Sequence, residues 1–365
     1  MSFINSSTFK KYLLPGFVFQ SVVIGGGYGT GRELVEYFLK YGPLGGLLGM
    51  VLVTTVSWSI LLALTFEFSR KFQAYDYRTF FKNLLGPFWP VFEIIYTIYL
   101  LIVLGVIGSA AGTLLKNNLG LPYILGVIII LAAVGFLTFK GSKIIENFLS
   151  LWSIVLYTTF AVLLVVIFIK FTPQIRENFA NSTIHGNWAG GAMLYAFYNM
   201  AAVPAVFFCL THINKRKEAI FAGLLAGPIG IIPAVFLFLA MVSHYEIVLE
   251  ESIPIVTVIQ KSGVAILLIA FQIILFGTLV ETGTGLIHAV NERIQSTLHS
   301  KKKELPTCLR PLIAVAFLII AVCISTLGLK TLIDKGYGAA SWGFLFVYLI
   351  PLATIGLYKI IKKSK

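Results

Sequence analysis

A run of glycines leads directly into two charged residues within an otherwise apolar stretch near the start of the sequence. The run reads Gly25-Gly26-Gly27-Tyr28-Gly29-Thr30-Gly31 and is followed by Arg32 and Glu33. Each glycine in a helix interior costs about 1 kcal/mol relative to alanine, so a continuous helix is not expected here. An interrupted helix leaves carbonyl oxygens that can coordinate a cation and N–H groups that can bind an anion. The alternative is close helix packing through small residues.

Charged side chains inside an apolar segment are costly and usually functional. We therefore expect the backbone of residues 25–31 and the side chain of Tyr28 to contribute to a substrate site. We expect Arg32 either to hold a substrate carboxylate or to form a gating ion pair. Glu33, its acidic neighbour, is expected to take part in ion or proton coupling.

A second interruption is expected between Tyr195 and Pro204. Pro204 lacks an N–H group and removes the helical hydrogen bond to Met200. Tyr195 and Asn199 are four residues apart, so they share one helix face. We expect both side chains to line the substrate pocket, and the alternative is a simple proline kink.

A third group of polar residues is formed by Thr278, Glu281 and Thr282. Their spacing of three and four residues places their oxygens on one helix face. Oxygen ligands suit a hard cation such as Na⁺. A buried carboxyl group can instead carry a proton, or Glu281 can form a structural salt bridge with Arg32.

The elements that must position these groups are transmembrane helices. Hydrophobic residues make up 58% of the chain and charged residues only 12%, whereas soluble domains contain about 25% charged residues. The apolar blocks are long enough to cross a bilayer and lack the alternation of a β-barrel. We predict an all-α integral membrane protein of about ten spans, at residues 10–40, 44–69, 86–116, 121–140, 145–171, 189–213, 218–243, 263–298, 309–329 and 338–360.

The basic residues predict how the chain lies in the membrane. A net charge of +13 is by itself compatible with a nucleic-acid partner, but the Lys and Arg residues are found in short loops between apolar blocks. Twenty of the 28 fall on the side of the N-terminus and seven on the other, so we expect both termini in the cytoplasm, a lipid bilayer as partner and no nucleic acid.

The cysteines, histidines and carboxylates predict neither an enzyme nor a metalloprotein. The three cysteines are scattered, without the spacing of a metal site. No cluster of histidines with carboxylates and no nucleophile–base pair is visible, so no catalytic residue, metal or cofactor is expected beyond Na⁺ or H⁺ as a coupling ion.

The spans divide into two halves of the same size. We predict one transmembrane domain, residues 1–365, with a first repeat at about 10–171 and a second at about 189–360. Each half has an odd number of spans, so the halves take opposite orientations, as inverted repeats do. The interrupted spans one and six occupy matching positions. Two long exterior segments are expected, at 172–187 and 243–263. The second is expected to be a pair of short amphipathic helices broken at Pro254 and able to act as a lid, and the alternative is a plain surface loop.

Two stretches of sequence resemble a known family. Residues 14–38 (LPGFVFQSVVIGGGYGTGRELVEYF) and 279–294 (LVETGTGLIHAVNERI) resemble the YkvI-like family of bacterial membrane proteins. The most specific part is G-x-G-x-x-T-G-R-E-L, from Gly25 to Leu34. That family is similar in layout to the amino acid–polyamine–organocation superfamily, whose members share the LeuT fold of 5+5 inverted repeats.

The resemblance implies a secondary transporter in the bacterial cytoplasmic membrane, with its substrate between spans one and six. It implies an amino acid or amine as the small polar substrate and a sodium-type site formed by Val23, Gly26, Thr278, Glu281 and Thr282. The acidic Glu281 stands where a hydroxyl group is usual, which favours a proton. A membrane sensor that binds a ligand without transport is the alternative. Substrate identity and oligomeric state do not follow from the sequence.

Overall fold

The first half of the chain is helical, and two of its spans, one and two, consist of several short helical segments. The computed structural model describes residues 6–139, 142–299 and 309–362, and within these ranges no strand occurs. Span one consists of a π-helical turn and three short helices, and span two contains a π-helical segment. The helices are Phe9–Leu13, Leu14–Val23, Gly26–Thr30 and Arg32–Tyr37 in span one, Pro43–Leu48, Gly49–Thr54 and Thr55–Phe72 in span two, Tyr77–Leu85 before span three, Trp89–Leu119 in span three, Tyr123–Phe139 in span four and Ser142–Ala180 in span five.

The second half repeats the pattern of one broken span followed by long helices. Its helices are Trp188–Asn199, Met200–Ala205 and Phe207–His212 in span six, Arg216–Val242 in span seven, Tyr245–Glu250 and Pro254–Ser262 between spans, Ala265–His299 in span eight, Leu309–Ser325 in span nine and Leu329–Thr331, Leu332–Tyr337, Gly338–Phe344, Leu345–Leu349, Leu352–Gly356 and Leu357–Ile361 in span ten. Span ten therefore alternates between α- and π-helical geometry.

Six stretches of the described chain are long and apolar enough to cross a bilayer. They are Pro43–Phe72, Tyr77–Leu119, Thr158–Ala180, Arg216–Val242, Ala265–Ile287 and Leu329–Ile361. Two apolar helices are shorter, Tyr123–Thr138 and Val315–Ser325. The all-helical membrane architecture is confirmed, while the number of ten spans stays a prediction.

Span five is longer than the sequence predicts. Its helix continues through Pro173 to Ala180, so the segment expected to be a loop from residue 172 is helical for most of its length. A proline removes one helical hydrogen bond but does not end a helix whose neighbours hold it. Here Asn178 Nδ2 donates to the Val242 carbonyl at 2.7 Å, and Lys170 Nζ donates to the Ser262 carbonyl.

The segment that the sequence predicts to be exterior at 243–263 forms the expected pair of short helices, called the exterior helix pair below after that prediction. Tyr245–Glu250 and Pro254–Ser262 are separated at the predicted position, with Pro254 in the first turn of the second helix. Ile255, Val258 and Ile259 of the second helix are fully buried. This helix pair is therefore part of the packed molecule and not a plain surface loop.

Small residues allow spans one, two and seven to approach closely. A Cβ atom at Gly16 of span one would lie 3.1 Å from Cα of Ala226 in span seven. Cβ atoms at Gly223 and Gly227 would clash with the backbone of span two. Close approach through small residues is the usual way in which helices pack in lipid. Span seven therefore packs directly against both span one and span two.

Candidate functional site

Span one breaks at Ile24 and Gly25. Ile24 has φ −73° and ψ 72°, the geometry of an inverse γ-turn, and the Gly25 N–H donates to the Val23 carbonyl at 2.8 Å. Gly25 itself is extended, with φ −99° and ψ −171°. The Val23 oxygen, a predicted cation ligand, thus accepts one hydrogen bond and retains capacity for another contact.

The rest of the glycine run is not unwound, which corrects the sequence-based expectation. Gly26–Thr30 forms a short helix, and a second break follows at Gly31, whose φ is 80°. The Gly31 N–H donates to the Tyr28 carbonyl at 2.9 Å. A Cβ atom at Gly31 would lie 2.8 Å from Met241 Sδ, so both the positive φ and the close approach favour glycine. Span one therefore has two breaks with one helical piece between them.

Thr30 closes this helical piece with its side chain. Its hydroxyl donates to the Gly27 carbonyl at 2.6 Å and accepts the N–H of Arg32 at 3.2 Å. Both bonds are buried, and the second gives the Arg32 N–H a partner just beyond the left-handed Gly31. Thr30 is thus a structural part of the second break, and its predicted role in substrate binding is not needed to explain its position.

Span six breaks where the sequence predicts. Its α-helix ends at Asn199 and continues as two 3₁₀-helical segments, Met200–Ala205 and Phe207–His212. Asn199 Nδ2 donates to the Tyr195 carbonyl at 2.9 Å. The change of helix type extends over more than three turns, so it is more than a kink at Pro204.

The first half of span six is held in place by side chains of spans two and ten. They donate to its carbonyl oxygens, Thr54 to Ala192 at 3.1 Å, Trp58 to Ala196 at 3.0 Å and Ser341 to Leu194 at 2.8 Å. Tyr195 is completely buried in this region. Its hydroxyl group makes no hydrogen bond to any part of the chain that the structure describes.

The polar face of span eight lies against the first break. The hydroxyls of Thr278 and Thr282 donate to carbonyls one turn earlier, each at 2.9 Å, and both oxygens keep lone pairs. A Cβ atom at Gly25 would lie 3.6 Å from the Thr282 methyl group. Thr278 is buried and Glu281 is half-buried. The structure thus brings Gly25 and Thr282 together, and it places Thr278 and Glu281 on the same helix.

Arg32 is directed towards the exterior helix pair. Its Nη1 donates to the carbonyls of Leu249 at 2.8 Å and Glu251 at 3.0 Å. Its Nη2 forms a 2.9 Å ion pair with Glu36, which also pairs with Lys40. The sequence spacing of four residues between Arg32 and Glu36 is a usual signal for such a pair. Of the two predicted roles of Arg32, an ion pair is the one that this geometry contains.

Glu33 joins the two broken spans. Its Oε2 accepts a 2.6 Å hydrogen bond from the hydroxyl of Tyr198 in span six. Its Oε1 lies over Gly27, where a Cβ atom would clash with it. Tyr198 was not among the site residues predicted from sequence, although it lies three residues after Tyr195 and directly before Asn199.

Comparisons with known proteins support the resemblance seen in the sequence. No protein-family model matches the chain. The uncharacterized membrane protein YkvI of Bacillus subtilis (strain 168) is 27% identical to the chain over 354 residues, which cover 93% of each protein. The likeness to YkvI is therefore confirmed over nearly the whole chain.

Two solved structures show the same arrangement of helices. A manganese transporter of Eremococcus coleocola superposes with a TM-score of 0.58 at 14% identity, covering 96% of this chain and 79% of that chain. MhsT in complex with L-phenylalanine superposes with a TM-score of 0.57 at 14% identity, covering 95% and 96%. At this level of identity the likeness shows the fold alone. The chain is a multi-span membrane protein with the LeuT fold, broken at spans one and six, and is similar to YkvI.

Proposed function

We propose that the protein is a secondary active transporter of a small polar solute, an amino acid or an amine, driven by Na⁺ or H⁺. The observation that carries the proposal is the meeting of two broken spans at the Glu33–Tyr198 hydrogen bond, with the polar face of span eight against the first break. Irregular backbone is tolerated within a membrane only where it is buried in protein or lines a cavity. Paired breaks at matching positions are typical of transporter substrate sites.

The fold supports this proposal without naming the solute. One solved structure with this fold is a manganese transporter and another contains L-phenylalanine, so the same helices serve inorganic and organic substrates. For the present chain we favour an organic solute, because among the described residues no group of three His, Cys, Asp or Glu side chains is placed to hold a metal ion.

Each predicted site residue has a place in this proposal. The backbone of residues 25–31, together with Tyr195 and Asn199, would surround the solute between spans one and six. The carbonyls of Val23 and Gly26 and the side chains of Glu33, Thr278, Glu281 and Thr282 would serve the coupling ion. Arg32 would form a gating ion pair. The chain would consist of two inverted repeats, at about 10–171 and 189–360. One bundle of spans would rock against the others in the bacterial cytoplasmic membrane, with both termini in the cytoplasm.

The test is uptake by purified protein in liposomes. A mixture of labelled amino acids and amines is presented outside, with either a Na⁺ gradient or a pH gradient imposed. We expect concentrative uptake that protein-free liposomes lack. Folded protein that catalyses no flux under either gradient would contradict transport, and binding of a solute without flux would identify a sensor.

Two glycine variants sharpen this test. Alanine at position 27 meets the Glu33 carboxyl group, and it must displace that group from Tyr198. Alanine at Gly338 meets nothing within 4 Å. We expect Gly27→Ala to lose uptake and Gly338→Ala to keep it, at equal amounts of folded protein.

A further inference from the structure

Glu33 is a buried carboxyl group between the two broken spans. It follows the left-handed Gly31 by two residues and lies in the first turn of the helix Arg32–Tyr37. Only 4% of its surface is exposed. One of its oxygens accepts the Tyr198 hydroxyl and the other is turned back over Gly27. A proton or ion at Glu33 would therefore act on the contact between spans one and six.

The surroundings of Glu33 are tyrosine rings contributed by four spans. Tyr37 belongs to its own helix, and the ring of Tyr198 lies 5.4 Å from that of Tyr37 and 4.8 Å from that of Tyr337 in span ten. Tyr99 of span three lies 6.4 Å from Tyr198. Tyr195 completes the group, with its ring 5.6 Å from that of Tyr198. Each of these five tyrosines is within electrostatic reach of the Glu33 carboxyl.

The charged groups near this tyrosine cluster do not compensate Glu33. Glu36 and Asp334, which face Tyr37, are themselves acidic. Arg32 is directed to Glu36 and to the loop carbonyls. Within the described ranges, no Lys, Arg or His side chain lies at ion-pair distance from Glu33. An ionised carboxylate in such a place would lack a cation, which is costly enough that a buried group becomes neutral instead.

The arrangement of the tyrosine cluster favours a proton over a metal cation as the species that neutralises Glu33. The rings are in contact with one another, at centroid separations typical of aromatic pairs. A hard cation needs several oxygen ligands, whereas the side chain described as bonded to the Glu33 carboxyl is that of Tyr198. Among the residues described, no group of three His, Cys, Asp or Glu side chains is placed to hold a metal ion. A proton needs no cavity and no additional ligand, so it is the cation that this site can accept.

We propose that Glu33 binds the proton that couples transport, so that the driving ion is H⁺. This proposal rests on the proposed transport function. On one side of the membrane the carboxylate takes a proton from a hydronium ion: an O–H bond of hydronium breaks, the carboxyl O–H bond forms and water is left. The new O–H can donate to the Tyr198 oxygen. On the other side the carboxyl O–H bond breaks, water takes the proton as hydronium, and the Tyr198 hydroxyl donates to the carboxylate again.

Infrared spectroscopy of the purified protein tests the proton at Glu33 without any solute. At about pH 7, where an exposed glutamate is ionised, a protonated carboxyl gives a carbonyl stretch apart from the carboxylate bands, and it shifts in D₂O. We expect this band in the natural protein and its loss in Glu33→Gln. Tyr198→Phe should move the band, because the carboxyl loses its hydrogen-bond partner.

Glu67 offers the matched control for this measurement. It is also only 4% exposed, but it is paired with Arg70 through bonds of 2.7 and 2.8 Å. Glu67→Gln should therefore keep the band. A band that survives Glu33→Gln, or that disappears equally in Glu67→Gln, would overturn the assignment of the proton to Glu33.

Flux measurements separate a failure of this proposal from a failure of transport itself. We expect a pH gradient to drive accumulation of labelled solute by the natural protein. Glu33→Gln should exchange labelled for unlabelled solute but ignore the pH gradient. Accumulation driven by Na⁺ alone would overturn proton coupling and leave the transporter proposal standing. Absence of any flux in folded natural protein would overturn both.

Discussion

The indole Nε1–H of Trp58 donates a 3.0 Å hydrogen bond to the carbonyl oxygen of Ala196, three residues before the α-helix of span six ends. The indole ring also contacts the rings of Phe19 in span one and Tyr195 in span six, at centroid distances of 5.0 and 5.7 Å. One residue of span two thus contacts both broken spans. Its hydrogen bond gives the Ala196 carbonyl, close to the break of span six, a partner.

Replacing Trp58 tests how much this bond contributes. Trp58→Phe leaves the Ala196 carbonyl without its side-chain partner in a buried position, so we expect a loss of about 1 kcal/mol or more in the free energy of unfolding. The unfolding temperature in detergent should fall by a few degrees. Trp342, which is 55% exposed, provides the control, and Trp342→Phe should leave the unfolding temperature nearly unchanged. Equal effects in the two variants would contradict a specific role for Trp58.

Tyr195 allows binding to be separated from stability. Because its buried hydroxyl bonds to no described residue, Tyr195→Phe removes no internal hydrogen bond and should not lower the unfolding temperature. If the hydroxyl contacts the solute, the KM for uptake should rise about tenfold, the equivalent of about 1.4 kcal/mol.

Tyr348 gives the opposite expectation and serves as the control for Tyr195. Its hydroxyl forms a 2.6 Å hydrogen bond with the Thr65 hydroxyl. Tyr348→Phe should therefore lower the unfolding temperature and leave the KM unchanged. An unchanged KM in Tyr195→Phe would remove this hydroxyl from the solute site.

Arg32 is expected to hold the exterior helix pair against span one. In Arg32→Ala, the carbonyls of Leu249 and Glu251 lose a charged donor, and such bonds contribute about 1.5–3 kcal/mol each. Amide hydrogen exchange across Tyr245–Ser262 should become at least about tenfold faster. Lys330, which pairs with Glu250 at 3.4 Å on the exposed surface, supplies the comparison. Lys330→Ala should leave exchange of the helix pair as it is, and a similar acceleration in both variants would argue against Arg32.

His244, directly before the helix Tyr245–Glu250, makes the stability of the protein sensitive to pH. Burial, supplemented by the positive charge of Lys261, holds the pKa of His244 below its ordinary value of 6.5. Below that value the unfolded chain binds a proton that the folded chain resists, so stability is present above about pH 6.5 and is lost as the pH falls. The unfolding temperature should therefore drop less between about pH 7.5 and pH 5.5 in His244→Gln than in the natural protein.

The exposed His185 is the control for this pH dependence. His185→Gln should keep the pH dependence of the natural protein. An identical pH profile for His244→Gln would mean that other groups cause the loss of stability at low pH.

The breaks in the helices were within reach of sequence reasoning because they depend on local chemistry. Glycines at positions 25–31 and the proline at 204 weaken helices wherever they occur, and both interruptions are present. The form of the first break was not predictable in the same way. Gly26–Thr30 is helical because the Thr30 hydroxyl and the left-handed Gly31 end the piece together, and glycine content alone does not show this.

The partners of the site residues depend on tertiary contacts and were therefore missed. Tyr198 and Glu33 are 165 positions apart, and nothing in either local sequence connects them. The same holds for Arg32 and the carbonyls at 249 and 251, since a carbonyl has no sequence signature. Charges in apolar segments can be marked from the sequence as candidates for function, but the groups distant in sequence that they contact cannot.

The two breaks of span one have a mechanical consequence. A helix with a single interruption has one point at which its two parts can change their relative direction. Between Ile24–Gly25 and Gly31, however, Gly26–Thr30 is a five-residue piece with a joint at each end. Such a segment can rotate about its own axis while the helices on either side keep their direction. Glu33 is tethered just beyond one joint and Thr282 lies beside the other, so a rotation here would change both contacts together.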